Sequence, residues 1–400
     1  MILSTMGTKA LAIRKAVRAG LARALAGARA CPDPATAARL AEELLARSSQ
    51  HRALLLRNQP KTTHPQVIRR LIAMSFALRK VDPERYLAAA QVAVEAAAAL
   101  RPSRFERRLA ADLRAEAWAQ VANAHRVAGD LWAAQTAWRR VAFFQARGTA
   151  DPQLAADLLR LKAGLLSAQR KFSQAVELLQ EALDLYEQLG ETHLAGRAQL
   201  ILGIVHYHAG DPAEAYASTL EAIRLIDGGR DPDLALDAAH HLAGFLAECG
   251  HPATALKVMQ RCDPLYRRGS PLFRLRATWL KGRLYAAERQ WSEAVLCLDR
   301  VRRAFIDREM SYDAALAALD LALVHAQQMR FDSVRRLAEE MYPVFIAQDI
   351  PREASAALLL FLQAAREGPV APDDIAQLSA RLKYLWLPRG RQAPQGRFLP

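Results

Sequence analysis

HYHAGDPAEAYASTLEAI, the stretch at residues 206–223, contains the end of one helix, a tight turn and the start of a second helix. Gly210 tolerates the left-handed conformation that ends a helix, Asp211 is a good N-cap, and Pro212 suits the first helical position. Ala215 is small enough to let the second helix approach the first closely. The stretch therefore predicts a helical hairpin, which can bury its apolar faces only by stacking against neighbouring hairpins.

The same arrangement recurs at a nearly constant interval along the chain. The small residue of the second helix falls at successive spacings of 41, 40, 40, 39 and 40 residues. Six units that hold one period this closely indicate a repeat array. Ala, Leu and Arg dominate the composition, which favours helices. The six small residues are Ala134, Ala175, Ala215, Ala255, Ala294 and Val334.

These units resemble the tetratricopeptide repeat family over residues 116–355. The family's first helix carries Trp, then Leu-Gly, then Tyr, and the first unit fills these slots with Trp118, Val121, Ala122 and His125. The resemblance implies an all-α fold, a right-handed superhelical solenoid of antiparallel helix pairs. The period near 40 residues exceeds the usual ~34, so the chain resembles a long-period variant with longer helices.

The charge is concentrated at the two ends of the sequence. Residues 1–110 contain 20 Lys and Arg against 7 Asp and Glu, and residues 381–400 contain 5 basic residues and no acidic one. Basic ends attract phosphate or an anionic surface. The alternative is that abundant Arg reflects a GC-rich genome and that both ends are simply solvated.

Composition and pattern divide the chain into five regions. Residues 8–30 form a candidate basic amphipathic helix, which suits nucleic acid, a membrane surface or an acidic partner; the alternative is a solvated capping helix. We expect a basic, partly disordered helical region at 1–60, an atypical hairpin at 61–115, six repeats at 116–355, capping helices at 356–386 and a disordered basic tail at 387–400.

Several classes of protein are disfavoured by what the sequence lacks. No phosphate-binding loop, dinucleotide-binding or zinc-protease motif occurs, and the ten His do not recur at ligand spacing. No apolar run reaches the ~20 residues of a membrane span. We therefore predict a cytoplasmic protein that is not an enzyme and that uses no cofactor or metal. Four cysteines are expected to be free thiols, namely Cys31, Cys249, Cys262 and Cys297.

The resemblance also implies a binding surface, the concave face lined by the first helix of each unit. The prediction is a scaffold or adaptor that binds a peptide or helical segment with acidic and apolar side chains, because Arg, Tyr and Trp dominate binding hot spots. The alternative is a peptide- or ligand-sensing regulator that controls a basic output region at 1–60, acting on nucleic acid in transcription. Some of the lining residues could instead pack between repeats. The lining residues are Asn123, Arg126, Arg160, Tyr207, His208, His240, Trp279 and Arg283.

Overall fold

A computed structural model describes residues 32–79, 82–101, 107–347, 350 and 352–385. Within these ranges the chain forms twenty α-helices and one short 3-10 helix, with no strand. The all-α fold of antiparallel helix pairs predicted from the sequence is confirmed. The candidate basic helix at 8–30 and the tail at 387–400 lie outside the described residues.

The chain divides into two compact units, with the boundary between Ala209 and Gly210. The described part of the first unit contains nine α-helices and the 3-10 helix at Pro60–Thr63. They are α1 (Pro34–Ala46), α2 (Ser49–Asn58), α3 (Pro65–Leu78), α4 (Pro83–Ala99), α5 (Arg107–Val127), α6 (Leu131–Gln145), α7 (Pro152–Ala168), α8 (Phe172–Gln188) and α9 (Thr192–Ala209).

The second unit contains the remaining eleven helices. Two of the helices that follow a repeat turn are broken near a proline, at Cys262 before Pro264 and at Met341 before Pro343. The helices are α10 (Pro212–Leu225), α11 (Pro232–Glu248), α12 (Pro252–Arg261), α13 (Asp263–Arg268), α14 (Pro271–Ala287), α15 (Trp291–Ile306), α16 (Ser311–Gln327), α17 (Phe331–Glu340), α18 (Tyr342–Phe345), α19 (Arg352–Glu367) and α20 (Pro372–Leu385).

The turn of each of the six repeat units contains one residue in the left-handed region. Gly129, Gly210 and Gly250 have φ angles of 80°, 92° and 81°. The other three turns place a non-glycine residue in the same conformation, at Arg170, Arg289 and Met329, with φ between 57° and 64°. The helix-ending hydrogen bond is retained without glycine: the Lys171 N–H donates to the Leu166 carbonyl at 2.9 Å, as the Asp130 N–H does to His125. The turn is therefore common to all six units, although its glycine is not.

Aspartates start many of the helices. The side chain of Asp130 accepts a hydrogen bond from the Ala133 N–H at 2.8 Å, and the side chain of Asp231 accepts one from Leu234 at 3.0 Å. Such caps satisfy amide groups that the first helical turn leaves free. The small residues that define the repeat are almost completely buried, as close approach of the paired helices requires.

The helices of the first unit form two layers. The first helices of successive pairs, α3, α5, α7 and α9, contact one another in turn, and we call them the inner helices. The second helices, α4, α6 and α8, pack against them as an outer layer. The same relation holds in the second unit for α11, α14 and α16. There, α20 packs against α16, and the Tyr312 hydroxyl donates a 2.6 Å hydrogen bond to the Leu382 carbonyl.

Two helical glycines provide a test of helix packing. A Cβ on Gly282 in α14 would lie 2.9 Å from Leu298 side-chain atoms, whereas a Cβ on Gly244 in α11 would meet no heavy atom within 4 Å. We expect Gly282→Ala to lower the free energy of unfolding by about 1–3 kcal/mol through overpacking. Gly244→Ala should raise it by about 0.5–1 kcal/mol because alanine favours helix. Urea denaturation measures both, and equal effects would contradict the packing at Gly282.

Candidate functional site

A chain of buried polar groups runs across the inner face of the first unit. The hydroxyl of Tyr86, a fully buried residue, donates to Gln120 Oε1 at 2.9 Å and accepts from Asn123 Nδ2 at 2.8 Å. Asn123 Oδ1 in turn accepts from Arg126 Nε at 2.9 Å. Asn123 is only 7% exposed. Its role in the fold is therefore to hold Arg126 in place.

Arg126 extends from α5 across the surface of the neighbouring inner helix α7. A Cβ added to Gly164 of α7 would lie 3.7 Å from Arg126 Nε, so the guanidinium lies over a position that has no side chain. Gly164 is one helical turn after Arg160 and shares its helix face. The two arginines therefore lie side by side across α5 and α7. Burial lowers the pKa of Arg126, and the Tyr86 phenol acts against this.

Arg160 is buried in the same face, with 8% of its surface exposed. Its Nη2 donates to Asp157 Oδ1 at 3.1 Å, and the Tyr186 hydroxyl donates to the same oxygen at 2.9 Å. Its Nε is buried and has no hydrogen-bond partner among the described residues. Burial disfavours the charged form, but the nearby Asp157 and Tyr186 raise the pKa of Arg160 overall.

Two further arginines complete what we call the arginine cluster, Arg79, Arg126, Arg160 and Arg197. The Phe76 ring centroid lies 3.8 Å from the Arg79 guanidinium carbon and 5.7 Å from that of Arg197. Burial raises the pKa of Tyr86, while the Asn123 hydrogen bond and the charges of Arg126, Arg79 and Arg160 lower it. Those three guanidiniums therefore lie close enough to act on one phenol. Sequence reasoning missed Arg79, which precedes the repeats, and Arg197, for which only its place on an inner helix was a signal.

The N-terminal half of α5 has the opposite charge. Burial raises the pKa of Glu116 to about 7; Arg69 acts against this, while Asp157, Asp112 and Asp151 add to it. Burial also raises the pKa of Asp112, whose carboxylate accepts hydrogen bonds from Thr149. The inner face of the first unit thus combines an acidic region with the arginine cluster, and Asp157 contributes to both.

The raised pKa of Glu116 makes stability depend on pH. The folded state retains this proton up to about pH 7, whereas the unfolded chain loses it near its ordinary pKa. Stability therefore falls as pH rises between those values, and the full penalty of about 3 kcal/mol is present above pH 7. Glu116→Gln should raise the free energy of urea unfolding by about that amount at pH 8 and by much less at about pH 5. Glu177→Gln, on the exposed surface of α8, is the control. A gain independent of pH would contradict the assignment.

The predicted residues Tyr207 and His208 lie together at the end of α9. Their ring centroids are 5.6 Å apart, and Tyr207 is 37% exposed. Burial, with Arg170 adding to it, lowers the pKa of His208. This pair is the aromatic part of the predicted lining in the first unit.

In the second unit, His240 belongs to an aromatic cluster. Its Nδ1 lies 3.2 Å from the Tyr266 hydroxyl, and its ring centroid lies 5.4 Å from that of Phe273. Burial lowers the pKa of His240 to about 3, and the charges of His241 and Arg276 add to the effect. His240 is therefore neutral near neutral pH.

Trp279 and Arg283 meet at one buried carboxylate. Trp279 Nε1 donates to Asp320 Oδ2 at 2.8 Å, and Arg283 Nε lies 3.9 Å from the same oxygen. Asp320 Oδ1 accepts from Ser379 of α20 at 3.2 Å. Arg283 also pairs with Glu248 at 3.1 Å. This network joins α14, α16 and α20. Trp279 therefore contributes to packing between repeats, which is the alternative given above for some of the lining residues.

Two residues of the predicted lining are buried within the fold. These are Asn123 and Arg160, which belong to the hydrogen-bond networks of Tyr86 and Tyr186. The eight residues fall into separate groups. Asn123, Arg126 and Arg160 lie on adjacent inner helices, Tyr207 lies with His208, Trp279 lies with Arg283, and His240 lies apart in its aromatic cluster.

Metal-ligating side chains and long apolar helices are the features that would mark a metal site or a membrane span. In this part of the chain, no three His, Cys, Asp or Glu side chains come together to form a metal site. None of the described helices combines the length and apolarity needed to cross a bilayer. Cys249, Cys262 and Cys297 are free thiols.

Comparison with known proteins confirms the type of repeat. Residues 154–227 match the family model described as tetratricopeptide repeat. No curated protein sequence matches the chain. A solved structure of a Rap protein complexed with competence and sporulation factor is similar, with a TM-score of 0.58 and 11% identity over 80% of this chain and 87% of that chain. The apo form of RapI gives a TM-score of 0.57 and 11% identity, covering 80% and 86%. At this identity the likeness shows a shared fold.

Proposed function

We propose that this chain is a non-catalytic interaction scaffold that holds a segment of a partner protein against the inner helices of its first unit. The observation that carries the proposal is the pair of guanidiniums of Arg126 and Arg160 on adjacent inner helices, which leave hydrogen-bonding nitrogens unused. The tetratricopeptide repeats at 154–227 support a scaffold, since such arrays present extended surfaces to partners.

The partner segment is an acidic and apolar peptide or helix. Arginine donates to carboxylates through a planar fork, and the partly exposed Tyr207 adds a rigid apolar surface. The similar Rap structure was solved with a bound factor, competence and sporulation factor. A fold of this type therefore accommodates a binding partner in that protein, which supports testing the same use here. A cytoplasmic location stays part of the proposal.

The position of α1 limits where the separable output region required by the sensing alternative could lie. Ala41 and Leu44 of α1 are completely buried in a core that they share with Ile68 and Leu71 of α3. Residues from 34 onward are therefore part of the first unit, and a separable output region within 1–60 would have to precede α1. Binding of nucleic acid by that region stays a prediction.

Site-specific photo-crosslinking tests the proposed surface. A benzophenone amino acid replaces either Tyr207 on inner helix α9 or Trp132 on outer helix α6, which is 68% exposed. The full chain is expressed in its native host and irradiated there. We expect one partner to cross-link at position 207 and not at 132, through an acidic and apolar peptide identified by mass spectrometry. Arg126→Gln should lower the yield about tenfold, since a charge-assisted contact contributes about 1.5–3 kcal/mol.

The matched control for that variant is Arg140→Gln, on the exposed surface of α6. This substitution removes the same charge away from the inner helices and should leave the yield unchanged. Cross-linking confined to position 132, or a yield at 207 that Arg126→Gln leaves unchanged, would refute the proposed surface.

A further inference from the structure

We infer that the arginine cluster of the first unit is a binding site for a phosphate monoester. This inference rests on the proposed function, because it names the chemical group that the inner face recognises. Its basis is the set of unused donors on Arg126 and Arg160, the local charge and the placement of Arg126 over Gly164.

The donors are held in place but incompletely used. Arg126 Nε donates to Asn123, and the two terminal nitrogens of Arg126 have no hydrogen bond to any described residue. Arg160 Nη2 donates to Asp157, while the buried Nε of Arg160 has no hydrogen-bond partner among the described residues. Buried polar groups in folded proteins are nearly always satisfied, so these donors are available to acceptors that a ligand supplies.

The local charge favours a doubly charged ligand. The cluster brings four guanidiniums together, and Asp157 is the carboxylate hydrogen-bonded to Arg160. In the acidic region of this face, Glu116 is half neutral near pH 7 because burial raises its pKa, and burial also raises the pKa of Asp112. A carboxylate brings one negative charge, whereas a phosphate monoester brings about 1.5 to 2 and three acceptor oxygens. The phosphate therefore matches both the charge excess and the number of donors better.

The backbone geometry brings the two arginine side chains to one face of α7. Gly164 follows Arg160 by one turn of α7, and the Arg126 side chain lies over it. Asn123, itself fixed by Tyr86, orients the Arg126 fork. A preorganised fork loses little conformational entropy on binding, which suits bidentate recognition of a phosphate.

Isothermal titration of the full chain with phenyl phosphate tests the site, with benzoate as the singly charged comparison. We expect phenyl phosphate to bind and benzoate to bind at least tenfold more weakly. Affinity for phenyl phosphate should rise about fourfold from about pH 5.5 to about 7.5, because the dianion forms with a pKa near 6. Affinity for benzoate should change little. Absence of phenyl phosphate binding up to about 10 mM, or equal affinity for benzoate, would overturn the inference.

Arg126→Gln should weaken phenyl phosphate binding at least tenfold, while Arg140→Gln should not. Arg126 has no carboxylate partner among the described residues, so its replacement should leave the melting temperature unchanged or raise it. Arg160→Gln provides a second variant from the neighbouring helix. Unchanged binding in both folded variants would overturn the assignment to this cluster.

The source of the phosphate is resolved by treating the cells' lysate with phosphatase before cross-linking at position 207. Loss of the cross-link identifies a phosphorylated side chain on the partner, whereas its persistence together with phenyl phosphate binding identifies a small phosphate compound. A cross-link without phenyl phosphate binding overturns the phosphate site and leaves the scaffold standing. Phenyl phosphate binding without a cross-link supports the phosphate site and refutes the proposed scaffold surface.

Discussion

The left-handed residue between the two helices of each pair is the constraint on which the rest of this structure depends. It reverses the chain within a few residues, and an aspartate in many units then starts the next helix with a side-chain cap. The reversal brings a small residue such as Ala175 or Ala294 against the preceding helix, where it is fully buried. Because the turn recurs about every 40 residues, the first helices of successive pairs form one layer within each unit. That layer places Arg126 beside Arg160.

The repeat could be predicted from the sequence because its causes are local. Turn residues, caps and the small residue of the second helix act within a span of about ten positions. The burial of Asn123 and Arg160 could not be predicted in the same way. A stripe on a helix indicates which side faces its neighbours, but it does not indicate that Tyr86, from an earlier hairpin, covers Asn123. The pairing of Trp279 with Asp320, which lies 41 residues away, is likewise a property of packing between units.

The inner face of the first unit is a polar interior with unequal halves. At one end of α5, burial drives Glu116 toward its neutral form. At the other end Arg126 cannot neutralise at any physiological pH, so its burial must be offset by hydrogen bonds or by a ligand. The same helix therefore carries a group that adjusts its charge to its surroundings and one that cannot. This difference explains why the arginine end, and not the acidic end, is the stronger candidate for recognition.

The three turns at Arg170, Arg289 and Met329 have a broader consequence. Each adopts the left-handed conformation with a side chain that disfavours it by about 1–2 kcal/mol, so helix packing on either side must impose the shape. A turn whose conformation is imposed by helix packing does not require glycine. The turn residues of a unit can therefore change while its backbone geometry is kept. Such a chain can drift to very low identity with other arrays and keep its period. Such a repeat is therefore recognised more reliably from the spacing of its turns than from the residues that form them.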